Sequence, residues 1–485
     1  MNLDETIDQA FAPIARALSD LVFVSIPIGK SDVQLVVIWL VAGAVFFTCY
    51  LGFINLRGFG HALRLVRGDF ADPDHPGEVS HFQALATAVS GTVGVGNIAH
   101  VAVAISVGGP GAAFWMGMAG ALGMASKFAE CTLGVKYRRE NPDGSVSGGP
   151  MMYMEGGLAE RGMPRLGRAM AMSYALCIVM GALGVASMFQ ANQAYAQFVT
   201  VTGGEESYFA DRGWLFGLIL SIFVGVVIVG GIRTIARVAE RLVPAMALVY
   251  ILAGLIVIGA NIEQLPWALG EIVRGAFSPR GAVGGMLGVL VLGFRRAAFS
   301  NEAGIGSSSI AHSAVRTREP VTEGYVALLE PFIDTLVVCS ITALVITLTV
   351  YDPNVPFEGI GGVELTSRAI ETVLPWFPIP LAVVVMLFAY STMIAWSYYG
   401  LEGWMYLFGR SGIARHSYNL IFLGGVTLGC VVQLQAVLDF SDAMVFAMAF
   451  TNMIALYLLA PVVRRELDAY RARLASGAIR PTVKR

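Results

Sequence analysis

The sequence predicts an all-α membrane protein with eleven transmembrane helices, one leading helix followed by two inverted units of five. Three observations predict it. Apolar runs recur at the ~20-residue length that crosses a bilayer core. Basic residues fall unequally on the two sides of those runs. Two of the runs are broken by glycine and polar residues, GTVGVGN (91–97) and FSNEAGIGSS (299–308), about 200 residues apart.

The runs lie at about 35–56, 82–107, 110–135, 169–200, 214–231, 241–260, 283–315, 325–350, 379–402, 413–434 and 440–463. Several are longer than a straight crossing needs, which suits tilted or broken helices. With 56% hydrophobic and 14% charged residues and a mean hydropathy of +0.68, too little polar surface remains to cover a soluble protein.

Orientation follows from Lys and Arg. With the N-terminus outside, 23 basic residues fall on inner segments and 6 on outer ones: Arg16, Lys30, Arg212, Arg274, Arg280 and Arg368. The inner set includes the seven after residue 463, so the chain reads as N-terminus out and C-terminus in, across a plasma or inner membrane. The net charge of −2 gives no basic field for nucleic acid. The first 20 residues lack the basic start of a cleaved signal peptide. Ile7, Phe11, Ile14 and Leu18 have helical spacing, which leaves an interfacial helix or an unstructured lead. Cys49, Cys131, Cys177, Cys339 and Cys430 all fall in spans without metal-ligand spacing, and read as packing residues.

The broken runs are the second and the seventh. The chain therefore divides into an outer segment (1–34), an extra helix (35–56), a cytoplasmic loop (57–81), a first unit (82–260), a second unit (283–463) and a basic tail (464–485). An odd number of helices per unit inverts the second, and a binding site is expected where the two breaks face each other. In the long inner loop, SGGPMMYMEGG (147–157) carries glycines and Pro150; they argue against a regular helix and for an interfacial or re-entrant segment. GGPG (108–111) reads as a tight outer turn.

Lipid offers the backbone no hydrogen-bond partner, so an unwound turn survives only beside a cavity or site. In the first break, Gly91, Gly94 and Gly96 let the chain leave helical geometry. The half-helix resuming near Asn97 presents N-terminal amides suited to a carboxylate. The carbonyls of Ser90 and Val93, with the side-chain oxygens of Thr92 and Asn97, suit a cation. GVGNIA imitates a dinucleotide fingerprint but lacks the strand that motif requires. In the second break, carbonyls near Phe299 suit an ammonium group. Glu302 is costly in lipid and either contacts substrate or cation, or pairs with Arg295 and Arg296. Lys127 and Glu130, three apart on one helix face, are expected to neutralise each other. Glu330 and Asp334 share a face by four-residue spacing and suggest a gate or helix contact. Glu402 and Asp442, close to span ends, read as wet.

These stretches closely resemble the alanine or glycine:cation symporter family, the sodium:alanine symporters. The match runs almost end to end, through ATAVSGTVGVGNIAHVAVAISVGGPGAAFWM (86–116), KFAECTLGVKYR (127–138), SGGPMMY (147–153), NEAGIGSSSIAHSA (301–314), FIDTLVVCSITALVI (332–346) and FAYSTMIAWSYYG (388–400). The resemblance implies the five-plus-five inverted repeat of the amino acid–polyamine–cation (leucine-transporter-like) type, and sodium-driven import of small neutral amino acids, chiefly alanine and glycine. It implies no enzymatic activity and no bound cofactor beyond sodium as coupling ion. By that resemblance the substrate is lined by Thr92, Gly94, Gly96 and Asn97, by Gln190 and Asn192, by Phe299, Ser300 and Asn301, and by Trp396. A sodium site of the superfamily type would use the Ser90 and Val93 carbonyls with the Ser391 and Thr392 hydroxyls. Trp396 otherwise packs, and the two hydroxyls otherwise bond back to their own helix. Two departures stand out. His100 replaces a small residue, and either lines the outer vestibule or packs as a hydrogen-bonded core histidine. ASMFQANQ (186–193) keeps Gln190 and Asn192 but loses an earlier amide of the family pattern. A same-fold carrier coupled to protons, or moving another small solute, is the alternative.

Overall fold

The computed structural model describes residues 3–28, 31–70, 75–142, 144–277, 285–353, 355 and 362–481. Lys30, Arg280, Lys484 and Arg485 of the charge distribution, and residues 283 and 284 at the start of the second expected unit, lie outside the described residues. Almost everything described is helix, apart from two short antiparallel pairings, Ser25–Ile28 with Ser31–Gln34 and Arg139–Glu140 with Val146–Ser147.

Among the described residues, helix occupies most of each expected run. Six of the described helices are long and apolar enough to cross a membrane: His81–Gly108, Pro164–Val201, Gly231–Ala260, Pro320–Thr349, Pro378–Phe408 and Leu434–Ala475. Leu35–Tyr50 and Gly213–Ile228 are apolar but shorter. Burial separates the centre from the rim. In the apolar window of His81–Gly108, 94% of residues are buried, against 39% for Gly231–Ala260. The rim helices turn an apolar face outward, as with Ile222, Phe223, Val226 and Val229, which suits a lipid surround.

Both expected breaks are present. Ser80 starts the first helix with a capping box: its Oγ accepts from the Gln83 amide, and the Gln83 side chain accepts from the Ser80 amide. That helix ends at Thr92, and a new one runs Gly96–Gly108. The second break follows Gly285–Asn301, with Glu302, Gly304 and Gly306 all at positive φ (57°, 89° and 90°) before Ser309–Ser313. GGPG forms the tight turn, with Gly109 at φ 70°.

Several expectations change. Pro150–Glu160 is a regular helix, because Pro150 occupies its first turn, where a missing N–H costs nothing. Gly157 lets that helix approach its neighbour: a Cβ there would sit 2.8 Å from Leu459 Cδ1. The N-terminal lead is the helix Leu3–Val22, seated through Ala15 and a Phe11–Phe440 ring contact on Leu434–Ala475. The tail continues that last helix to Ala475 and docks: His61 Nε2 lies 2.8 Å from Tyr470 Oη, and Arg473 pairs with Glu319. Cys49 is exposed, unlike Cys131, Cys339 and Cys430. Sequence periodicity also gave no sign of two π-helical turns, Ala182–Phe189 and Phe332–Cys339. Such turns are frequent at functional sites.

Candidate functional site

At the first break Val93 is extended (φ −77°, ψ 93°). The freed amides are held by side chains: Gly94 N–H donates to Asn97 Oδ1 at 2.9 Å, and Val95 N–H to Gln190 Oε1 at 3.4 Å. A Cβ on Gly94 would lie 2.5 Å from Thr392 Oγ1, so only glycine permits this approach. Thr392 Oγ1 donates to the Ser90 carbonyl at 3.1 Å, and Ser90 Oγ donates to the Ser391 carbonyl at 2.7 Å. Ser90, Gly94, Gln190, Ser391 and Thr392 are thus brought together, with Val93 beside them in the chain.

At the second break, left-handed backbone at a non-glycine residue costs ~1–3 kcal/mol. Glu302 is held there by its carboxylate, which accepts from Trp396 Nε1 at 2.9 Å and from Ser307 Oγ. Trp396 Nε1 also reaches the Gly91 carbonyl at 3.3 Å, so one buried indole joins both breaks. The alternative in which Glu302 pairs with Arg295 and Arg296 is not realised. Both arginines turn to Asp442, at 2.7 and 3.5 Å. Asp442 is therefore buried rather than wet, and so is Glu402, paired with Arg410 at 2.7 Å.

Between the breaks sits a carboxylate that sequence reading had placed in a gate or helix contact. Asp334 accepts from Asn97 Nδ2 at 2.5 Å, Ser300 Oγ at 2.9 Å and Thr335 Oγ1 at 2.7 Å, and it is fully buried. All three donors are neutral. Glu330 and Asp334 do not face the same partners, because the π-turn beginning at Phe332 changes the angle between them.

Other site candidates are satisfied nearer home. Thr92 Oγ1 and Ser391 Oγ bond back to their own helices. Asn301 bonds Thr335 Oγ1 and the Ala303 amide. Asn192 directs its amide at the Gly429 and Val432 carbonyls, away from both breaks. Phe299 packs at the second break against His100, which is buried and whose ring nitrogens have no hydrogen-bond partner among the described residues. Gly96 begins the half-helix on which His100 stands.

Lys127 and Glu130 do not neutralise each other. Lys127 Nζ donates to Glu330 Oε2 at 2.9 Å and Ser308 Oγ at 2.6 Å, while Glu130 accepts from Asn452. Glu330 Oε1 lies 2.6 Å from His312 Nε2, His312 Nδ1 bonds Glu323, and Glu323 Oε1 lies 2.5 Å from His81 Nδ1. This buried chain ties the first half-helix of one break to the second half-helix of the other. Its contacts join residues up to 242 positions apart, beyond any local spacing rule.

Two broken, apposed helices within a bundle of apolar ones define a membrane transporter of small solutes. The solved structure of MhsT in complex with L-phenylalanine aligns with a TM-score of 0.53 at 14% identity, over 80% of this chain and 98% of that one. At that identity it shows the fold. A sequence model of the sodium:alanine symporter family matches residues 23–485. The sodium/alanine symporter AgcS of Methanococcus maripaludis is 37% identical over 89% of this chain and 93% of its own. The probable sodium/glutamine symporter GlnT of Bacillus subtilis is 34% identical over 92% and 89%. The chain belongs to the sodium:alanine symporter family. It is a multi-pass membrane protein and a cation-coupled amino acid transporter.

Proposed function

We propose that the protein imports small neutral amino acids, alanine and glycine, with sodium by alternating access, from eleven membrane crossings arranged as an extra helix and two inverted five-helix units. In this reading the N-terminus is outside and the C-terminus cytoplasmic. The observation that carries it is the meeting of the two breaks across Trp396, with Gly94 in contact with Thr392. The substrate carboxylate is held at the start of the half-helix by Gly94, Gly96 and Asn97, with Thr92 behind them. Its ammonium group meets the carbonyls near Phe299, Ser300 and Asn301, with Gln190 opposite and Asn192 bracing the Gln190 helix. Phe299 and Trp396 limit side-chain volume.

Sodium takes the Ser90 and Val93 carbonyls with the Ser391 and Thr392 hydroxyls, an oxygen-only set. A second reading, proton coupling, draws on Asp334. A buried carboxylate whose donors are all neutral is stable when it carries a proton or faces a cation.

Uptake of labelled alanine into proteoliposomes under separate sodium and proton gradients tests this. Saturable uptake driven by sodium alone is expected; uptake driven by protons without sodium selects the second reading, and uptake under neither rejects both. The double substitution Ser391→Ala/Thr392→Ala is expected to raise the sodium needed for half-maximal uptake about tenfold, ~1.4 kcal/mol. If Asp334→Asn does so instead, the cation sits at Asp334.

A further inference from the structure

His100 lies one helical turn beyond Gly96 on the same face of Gly96–Gly108. It is 1% exposed, and neither ring nitrogen has a hydrogen-bond partner among the described residues. Phe189 stacks on the ring at 4.9 Å between centroids, and Phe299 meets it edge-on at 4.2 Å. A Cβ on Gly96 would stand 3.6 Å from His100 Nδ1, so the ring reaches back to the start of the half-helix. Polar atoms buried without partners are rare, because desolvating them is costly. Here two of them share one ring, inside an aromatic wall.

We propose that His100 is a specificity-determining residue that hydrogen-bonds the side chain of a neutral amino acid carrying a hydroxyl or a carboxamide. The carrier then takes serine-, threonine- and glutamine-like substrates besides alanine. This rests on the reading of the two breaks as the substrate site. With the carboxylate at the start of the half-helix, beside Gly96, and the ammonium group toward the second break, the side chain extends along the half-helix toward the ring. Neutral imidazole offers one donor and one acceptor. A hydroxyl matches either, and a carboxamide matches both. Phe189 and Phe299 hold the ring between them, while Arg295, Arg296 and Asp442 form the nearest charged cluster. An alanine methyl fits the same space but leaves both nitrogens unmatched. A site that hydrogen-bonds a substrate group separates substrates more sharply than an apolar pocket that differs by one methylene.

The test is competition against labelled alanine uptake in proteoliposomes, using pairs of similar size: serine with alanine, threonine with valine, glutamine with methionine. The wild-type protein is expected to prefer the polar member of at least one pair. His100→Phe keeps the aromatic stack, and is expected to lower that preference about tenfold while changing alanine itself less than about threefold. His100→Gln, which restores a donor and an acceptor, is expected to recover part of it. No polar preference in the wild type, or an unchanged preference in His100→Phe, overturns the proposal. Should His100→Phe fail to insert, the wild-type pairs and His100→Gln still decide. If no amino acid enters under any gradient, the reading of the site itself fails. If alanine enters and the polar members never win, only the role of His100 fails.

Discussion

On the side of the breaks nearer the C-terminal tail, Glu323 and Glu330 use all four carboxylate oxygens, on His81, His312 and Lys127. On the side nearer the N-terminal helix, Asp442 receives both Arg295 and Arg296 on one oxygen. Its other oxygen, both arginine Nε atoms and both ring nitrogens of His100 have no hydrogen-bond partner among the described residues. The carboxylates of both clusters are buried, yet saturation differs. Charges removed from water are stable only when every lone pair and proton is matched, so the cluster by the N-terminal helix is the cheaper to take apart. The difference teaches that burial and pairing of charge need not go together on the two faces of one bundle.

The largest way to break this comparison is Lys127→Met, which leaves one oxygen of the buried Glu330 without its cation while His312 keeps the other. It is expected to cost ~3–5 kcal/mol, read as a lower unfolding temperature in detergent, with partial recovery when Glu330→Gln is added. Equal losses in the single and double variants would show that the chain of contacts does not act as a unit. Next is Asp442→Asn, expected to cost less, about 1–3 kcal/mol, because one of its two arginines is partly exposed and an acceptor remains. A loss matching that of Lys127→Met would reverse the ranking of the two faces.

Between the faces, Gly94→Ala forces a methyl against Thr392 Oγ1, 2.5 Å away. Alanine uptake is expected to fall about tenfold, ~1.4 kcal/mol, with membrane insertion and unfolding temperature near wild type. Wild-type uptake would show that the close approach is not required.

The smallest effect sharpens the comparison at the rim. Burial, with Arg64 alongside, pushes the His61 pKa down to about 4. Its unfolded value lies near 6.5, so the docked state favours the neutral ring. That contribution is complete above about pH 6.5 and is lost as pH falls toward 4. The contact of His61 with Tyr470 should loosen over that window, seen as greater mobility of a spin label at Ala472→Cys. His61→Asn should abolish the pH dependence, and a label equally mobile throughout would refute it.

The breaks were legible because their cause is local. Glycine beside Ser, Thr and Asn inside an apolar run marks unwound backbone in any context, and Gly94, Gly96, Glu302, Gly304 and Gly306 all lie where that rule puts them. Partners of buried charges were not legible. Lys127 and Glu130 share a helical face, yet Glu330, 203 positions away, wins the lysine because packing brings it within 2.9 Å. The four-residue spacing of Glu330 and Asp334 pointed to helix contacts, which both make, but not to their separate partners across a π-turn. Pro150 misled because proline ends helices in general and begins them in particular.

Trp396 carries a consequence of another kind. Its single N–H is shared between the Gly91 carbonyl of one break and the Glu302 carboxylate of the other. Any motion that parts the two breaks must withdraw a hydrogen bond from the excited-state dipole of that indole and change the polarity around it. The molecule thus holds an intrinsic optical sensor at its centre. With the other six of its seven tryptophans replaced by phenylalanine, the emission wavelength would follow the distance between the breaks in real time, without an added label.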